Sequence, residues 1–331
     1  MRKARREGTN YLRIIIIVSV IAILLTVAFV LLKKWEEQRG KASEINTDPT
    51  AIEYEGKEYV LKDNIETFLV LGLDKYEGAS LSDSYNNNKQ ADFIMLFVFD
   101  NDAQKYTTIH INRDTIVDIN VLDVAGNRID TVKNQIALAH TYGNGKDVSC
   151  RNTADAVSAL LMGMRVNHYI SLTLDSVTIM NNLIGGVEVT VLDDFTGIDD
   201  TLIKGEKVTL MGEHALNYVR TRKGLDDSSN SSRMIRQQQY IKAMYEKFQY
   251  CVSNDEEFIV DATLKMSDYI ISDRSVTRLQ ELAEKFNSYE FVDISSIEGE
   301  SKLGENNFIE FYADEGSIKK IVIELFYKPK E

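Results

Sequence analysis

Four arginines stand close together in the segment Gly212 to Tyr245: Arg220 and Arg222 on one side of a polar loop, Arg233 and Arg236 on the other. Grouped cations of this kind suit an anion, and the planar guanidinium fork suits phosphate in particular. Arg233 and Arg236 are three apart on an expected helix, so they share a face that Gln237 and Tyr240 continue. Arg220 and Arg222 fall at the end of the preceding expected helix, where positive charge is favoured. Two aspartates, Asp74 and Asp92, each stand where a polar loop meets an apolar run, and Arg113 follows a third such run. A carboxylate pair with arginines nearby has a natural chemistry. Mg²⁺ takes one or two carboxylates plus phosphate oxygens. Arginines neutralise the remaining charge, and phosphoryl transfer needs little beyond that positioning.

The elements that would position these residues come next. Thr67 to Leu73 and Phe93 to Phe99 are unbroken apolar runs rich in strand formers, and Tyr106 to Ile111 is a third strand. Asp100 to Gln104 reads as the turn between the second and third. In a hairpin the start of one strand neighbours the end of the other, so Asp92 and Arg113 should be close. Helices are expected over Lys133–Tyr142, over Thr153–Met162 with Asn152 as N-cap, over Ser176–Ile184 up to Gly185-Gly186, over Glu213–Val219 and over Ser231–Tyr250. Strands are expected at Tyr169–Thr173, Val187–Leu192, Phe291–Ile294 and Phe308–Tyr312, and further helices at Val276–Phe286 and Ser317–Tyr327. The alternation predicts an α/β fold with a central mixed sheet flanked by helices, whose strand ends form the ligand edge.

The 331-residue chain carries a net charge of -13, which excludes an ordinary nucleic-acid binder. Residues 14–32 form an apolar run of about 19 residues, long enough at ~1.5 Å per residue to cross the hydrocarbon layer. Arg2, Lys3, Arg5, Arg6 and Arg13 precede it, which places the N-terminus in the cytoplasm and the rest of the chain outside the cell. A cleaved signal peptide is the rival reading; the length of the run and the lack of a small-x-small site count against it. The expected organisation is a basic cytoplasmic tail (1–13), a transmembrane helix (14–32), a juxtamembrane linker (33–64) and an extracellular catalytic domain (65–331).

Taken singly, each aspartate reads more simply as a turn or cap residue and each arginine as a solvated surface charge. The joint assignment to one sheet edge is what argues for a site. The four histidines show no ligand spacing, and Ser228 to Ser232 has no partnered histidine. Cys150 and Cys251 are free to pair outside the membrane and equally free to be small core residues.

At these positions the sequence resembles the LytR-CpsA-Psr family of cell-wall enzymes. The matching pieces are Phe68-Leu69-Val70-Leu71-Gly72-Leu73-Asp74, Ala91-Asp92-Phe93-Ile94-Met95-Leu96, Asn112-Arg113-Asp114-Thr115, Ala139-His140-Thr141-Tyr142-Gly143, Ile184-Gly185-Gly186-Val187, Ala215 to Arg222 and Arg233 to Gln237. The resemblance implies transfer of an anionic glycopolymer, teichoic acid- or capsule-like, from a polyprenyl-pyrophosphate carrier to a peptidoglycan sugar hydroxyl, forming a phosphodiester. It implies Mg²⁺ at Asp74 and Asp92, with one of them accepting the hydroxyl proton. It implies catalytic roles for Asp92, Arg113, Arg220 and Arg222, and pyrophosphate held by Arg113, Arg220, Arg222, Arg233, Arg236 and Gln237. The lipid would enter an apolar tunnel between sheet and helices.

Three departures stand out. Gln90 replaces a usual arginine, Asn112 a usual proline, and Gln135-Ile136-Ala137 a common Lys-x-Asn. The first removes one expected phosphate contact. Two other readings therefore stay open: a non-catalytic polyprenyl-phosphate-binding regulator or scaffold of the envelope, and a lipid pyrophosphatase.

Overall fold

The computed structural model describes residues 51–73 and 89–330. The expected cytoplasmic tail, the transmembrane helix 14–32 and Asp74 lie outside them. The described chain opens with a hairpin, β1 (Ala51–Tyr54) and β2 (Lys57–Leu61). Three long strands follow: β3 (Ile65–Leu73), β4 (Ala91–Asp100) and β5 (Lys105–Ile111). A second hairpin, β6 (Ile116–Leu122) and β7 (Arg128–Gln135), leads through a 3₁₀ turn at Ile136–Thr141 into helix α1 (Asp147–Leu160). Then come β8 (His168–Thr173), α2 (Leu174–Leu183), β9 (Val187–Thr190), β10 (Lys207–Leu210), α3 (Glu213–Arg220), the long α4 (Asn230–Asn254) and α5 (Phe258–Met266). The chain closes with β11 (Ile270–Ser272), α6 (Val276–Asn287), β12 (Glu290–Ser296), β13 (Gly299–Leu303), β14 (Ile309–Ala313), α7 (Glu315–Phe326) and β15 (Tyr327–Pro329).

The central sheet has six strands in the order β11-β8-β3-β4-β5-β12. β3, β4 and β5 run antiparallel as a meander, while β8 lies parallel to β3 and β12 parallel to β5. The mixed sheet with flanking helices is thus as expected. Its strands form because alternate residues have two apolar faces to serve. Leu69, Leu71, Ile94, Leu96 and Ile109 face a core shared with Val157 of α1 and Val322 and Phe326 of α7. Burying each such side chain contributes roughly 1.5–3 kcal/mol. A separate core joins Val187, Val189, Leu210, Phe195, Tyr218 and Tyr240 beneath α2, α3 and α4.

Several expectations need correction. Residues 51–61 are not linker: β1 pairs with β2 and β2 with β15, so this stretch is part of the folded domain and is joined to the strand at 327–329. Lys133–Tyr142 is not a helix. Lys133 to Gln135 complete β7, whose ladder with β6 outweighs local helix propensity, and only a 3₁₀ turn follows. α1 starts earlier than expected, and Asn152 is interior to it rather than its N-cap. Its buried amide donates to the carbonyls of Asn120 (3.0 Å) and Ala139 (2.9 Å). The expected strand at Phe308–Tyr312 is one arm of a hairpin, β13–β14. Both cysteines are free: Cys150 is buried in the first core and Cys251 half-buried at the second. Among the described residues no helix is long and apolar enough to cross a membrane.

Candidate functional site

The site lies at the end of the sheet where β3 stops and β4 begins. Gly72 pairs with Phe93, and the next residue, Leu73, pairs with Ala91. Asp92 is therefore the extra residue of a bulge, a device that turns a side chain away from its regular face. Gly72 is required there, since a Cβ on it would lie 2.8 Å from Phe93 Cβ. One strand further, β5 ends at Ile111 opposite Ile94, and the chain turns through Asn112-Arg113-Asp114-Thr115.

Asn112 builds that turn. Its carbonyl accepts from Thr115 N (3.0 Å) and Thr115 Oγ1 (2.6 Å), and its side-chain oxygen accepts from Asp114 N (3.0 Å). This is an Asx turn, the local solution asparagine offers in place of proline. Arg113 then projects back across the hairpin. Its Nη1 pairs with Asp92 Oδ1, its Nη2 donates to Gln90 Oε1, and its Nε lies 3.4 Å from Asp114 Oδ1. The expected Asp92–Arg113 proximity is an ion pair. Gln90 serves here as an acceptor that ties down Arg113.

The opposite wall comes from α4. Ser229 caps the helix, accepting from Ser232 N (3.1 Å). Asn230 donates to Asn112 Oδ1 (2.7 Å), which joins the helix start to the turn. Arg233 extends to Asn230 Oδ1 and makes a long contact (3.4 Å) with the carbonyl of Asp92. Burial pulls the Arg113 guanidinium down to about 10; Asp114 opposes this, and the charges of Arg233 and Arg222 add to it. Arg233 is likewise pulled to about 10, by burial and then by Arg222, with Asp114 opposing. Burial raises Asp114 against the pull of Arg113, Arg222 and Arg233. Arg113, Arg222 and Arg233 thus form one electrostatic cluster of like charge with Asp92 and Asp114 among them.

Arg236 and Gln237 make their hydrogen bonds elsewhere, although the charge of Arg233 still reaches Arg236. Arg236 is fully buried (0% exposed) on the side of α4 that faces α3. Its Nη1 donates to Tyr218 O (2.7 Å) and its Nη2 to Thr221 O. Its Nε lies 2.8 Å from Asp193 Oδ2, an ion-pair contact rather than an aligned hydrogen bond. Gln237 donates to Val219 O (3.0 Å). Phosphate contact is expected of these two from sequence; in the structure the hydrogen bonds they make run to the C-terminal turn of α3. Arg220, the last residue of α3, is exposed.

Residues the sequence reading left without a role also belong here. Asp114 is buried, accepts from Gln135 Nε2 (3.2 Å), and leaves Oδ2 without a hydrogen-bond partner among the described residues. His110 is buried with its ring 5.0 Å from Phe93 and its Nδ1 3.4 Å from Gln238 Nε2. Burial first, and Arg233 second, push it down to about 3, so it is neutral. The Asx signal of Asn112 was readable; the placing of His110 was not, because a single histidine in an apolar strand carries no partner in its pattern. Among the described residues no group of three or more His, Cys, Asp or Glu side chains converges as a metal site. The donors present still suit a hard cation: Asp92 stands at the sheet end, and the orphaned Asp114 oxygen lies on the same turn as Arg113.

The chain shares this architecture with proteins of known structure. Bacillus subtilis TagV superposes with a TM-score of 0.60 at 24% identity, covering 80% of this chain and 97% of TagV. TagT bound to LI-WTA superposes with a TM-score of 0.58 at 21% identity, covering 79% and 89%. By sequence, the chain is 27% identical over 243 residues to the polyisoprenyl-teichoic acid–peptidoglycan teichoic acid transferase TagU of Enterococcus faecalis, covering 72% of this chain and 71% of TagU. It is 26% identical over 258 residues to the cell wall biosynthesis protein LcpA of Corynebacterium glutamicum, covering 71% of this chain but 49% of LcpA, so the chain spans about half the length of that relative. The model of the LytR_cpsA_psr family matches residues 30–326, a span that takes in the β4 start, the Asn112–Thr115 turn and the arginines of α4. The chain belongs to the LytR_cpsA_psr family.

Proposed function

We propose that this protein is a membrane-anchored transferase, working outside the cell. It moves an anionic glycopolymer from a polyprenyl-pyrophosphate carrier to a hydroxyl of a peptidoglycan sugar. The observation that carries this reading is the meeting of Arg113 and Arg233 on Asp92 at one sheet end, within reach of the charge of Arg222. Burial first, and the charge of Arg222 after it, lower the proton affinity of Arg113 and Arg233, so a bound anion such as a pyrophosphate would be favoured beside them. TagU, by its name, transfers teichoic acid from a polyisoprenyl carrier to peptidoglycan.

In the proposed reaction the acceptor oxygen attacks the phosphorus that bears the glycan. The new O–P bond makes the phosphodiester, the bridging P–O bond of the pyrophosphate breaks, and polyprenyl phosphate leaves with its electron pair. Asp92, held by Arg113 at the bulge, takes the hydroxyl proton. Arg113, at the Asp92 carboxylate, and Arg233, at its main-chain carbonyl, stabilise the charge that develops on the phosphoryl oxygens. Asn112 and Asn230 fix the two walls relative to each other. The proposed Mg²⁺, bound through Asp92 with Asp74, would neutralise phosphate charge. The isoprenoid chain is proposed to follow the sheet face of Phe93, Met95 and Phe97, opposite the face packed on α1. Residues 14–32 are proposed to anchor the enzyme beside its lipid substrate.

The test is transfer by the full-length protein in detergent, given lipid-pyrophosphate glycan, peptidoglycan and Mg²⁺. Glycan-bearing peptidoglycan should form, and Arg233→Ala should nearly abolish it; equal transfer by the variant removes the catalytic reading. Gln90 favours a second reading, a non-catalytic binder of polyprenyl phosphates, because its oxygen accepts from Arg113 where a donor to phosphate would be useful. Lipid binding without turnover selects that reading, and free glycan phosphate without acceptor addition selects a pyrophosphatase.

A further inference from the structure

The last turn of a helix leaves carbonyls without partners. At the end of α3 the partners come from two consecutive residues of α4. Arg236 Nη1 donates to Tyr218 O (2.7 Å), Gln237 Nε2 to Val219 O (3.0 Å) and Arg236 Nη2 to Thr221 O. Thr221 is where the backbone leaves the helix, with φ -62 and ψ 136. The residue after it is Arg222. A cation at a helix C-terminus is favourable, and a buried one needs a counter-charge. Asp193 supplies it, 2.8 Å from Arg236 Nε, and its Oδ2 also accepts from Ser232 Oγ (2.9 Å). Phe195 and Tyr218 flank the guanidinium, with ring centroids 5.3 and 5.9 Å away.

The charge of Arg222 reaches both Arg113 and Arg233, so the direction in which its backbone delivers it bears on an anion bound there. Here the carbonyl one residue before it accepts from a fully buried guanidinium. We infer that Arg236, with Asp193 and Gln237, is a positioning device that sets the direction of Arg222 and acts on the anion only through it. This rests on the anion reading above but assigns Arg236 a role distinct from phosphate contact.

A binding cycle tests it, with inorganic pyrophosphate as the probe and the full chain in detergent, followed by calorimetry. Arg222→Ala should weaken binding about tenfold, the loss of one charge-assisted contact. Arg236→Lys keeps the charge but cannot span two carbonyls, and should weaken binding by a similar factor. The double variant should bind no more weakly than Arg222→Ala alone. Additive losses, about a hundredfold in the double variant, overturn the inference, as does unchanged binding in Arg236→Lys. Unchanged binding in Arg222→Ala overturns both this inference and the anion reading. If Arg236→Lys fails to fold, Asp193→Asn takes its place, since it loosens the fork and leaves both carbonyl bonds possible. It too must weaken wild type and be silent in the Arg222→Ala background.

Discussion

Asp92 and Arg113 meet across the β4–β5 hairpin as an ion pair, one from a bulge and the other from an Asx turn. Neither residue lies in regular strand, yet the register of the strands behind them brings them together. Ile94 opposite Ile111 leaves the two flanking residues at the same end of the sheet.

Replacing Arg113 with alanine should lower glycopolymer transfer about 10²- to 10³-fold, the usual effect of removing a donor aimed at developing charge. Lysine should recover only part of the loss, because it cannot bridge Asp92 and Gln90 together. Single-turnover transfer assays on both variants check this. Alanine that transfers at the wild-type rate removes Arg113 from the chemistry.

The Asp92–Arg113 contact was legible from sequence because it needed only two long apolar runs and a turn between them. Arg233 and Arg236 show where that legibility ends. Three apart on a helix, they share a face broadly, but 300° of rotation also separates them by 60°. That angle directs Arg233 to the sheet and Arg236 to α3, and nothing local says which neighbour each will meet. Lys133 to Tyr142 failed for a related reason. Its residues carry adequate helix propensity, and only the partner strand β6, far from the window being read, pulls Lys133 to Gln135 into a ladder. The linker reading of 33–64 missed β1 and β2 because their third partner, β15, lies at the other end of the chain.

Arg236→Ala should be among the more destabilising substitutions in the domain. It removes one partner of a buried ion pair and leaves Asp193 uncompensated, together with two carbonyls at the end of α3. Breaking a buried pair in this way costs about 3–5 kcal/mol. Urea unfolding followed by circular dichroism measures it; a loss below about 1 kcal/mol, the range of an exposed pair, contradicts the buried-clamp description.

Stability should fall as the medium is acidified from pH 7 to 5. His110 and His140 are both buried, and burial above all lowers them from 6.5 to about 3 and about 4. Above 6.5 folded and unfolded chains are both neutral at these rings. Below it the unfolded chain takes up protons that the folded chain refuses, so stability is lost as pH falls from about 6.5 toward the folded values. Each histidine contributes about 1.4 kcal/mol per pH unit in that window. Urea midpoints measured from pH 7.5 to 5 should show the slope, and His140→Gln should reduce it by about one proton.

Gly72→Val tests whether the bulge itself matters to chemistry. The new Cβ would lie 2.8 Å from Phe93 Cβ, so β3 and β4 must separate locally. Overpacking of this kind costs roughly 1–3 kcal/mol, which a sheet of six strands survives. The displacement, however, falls beside Asp92, whose carboxylate has to stay on Arg113 while its main-chain carbonyl faces Arg233. Turnover should therefore drop at least tenfold in a protein that remains folded, with the loss in kcat rather than in affinity for pyrophosphate, since Arg222 and Arg233 are carried by other elements. A melting temperature lowered by several degrees with unchanged kcat would mean that the bulge only completes the sheet.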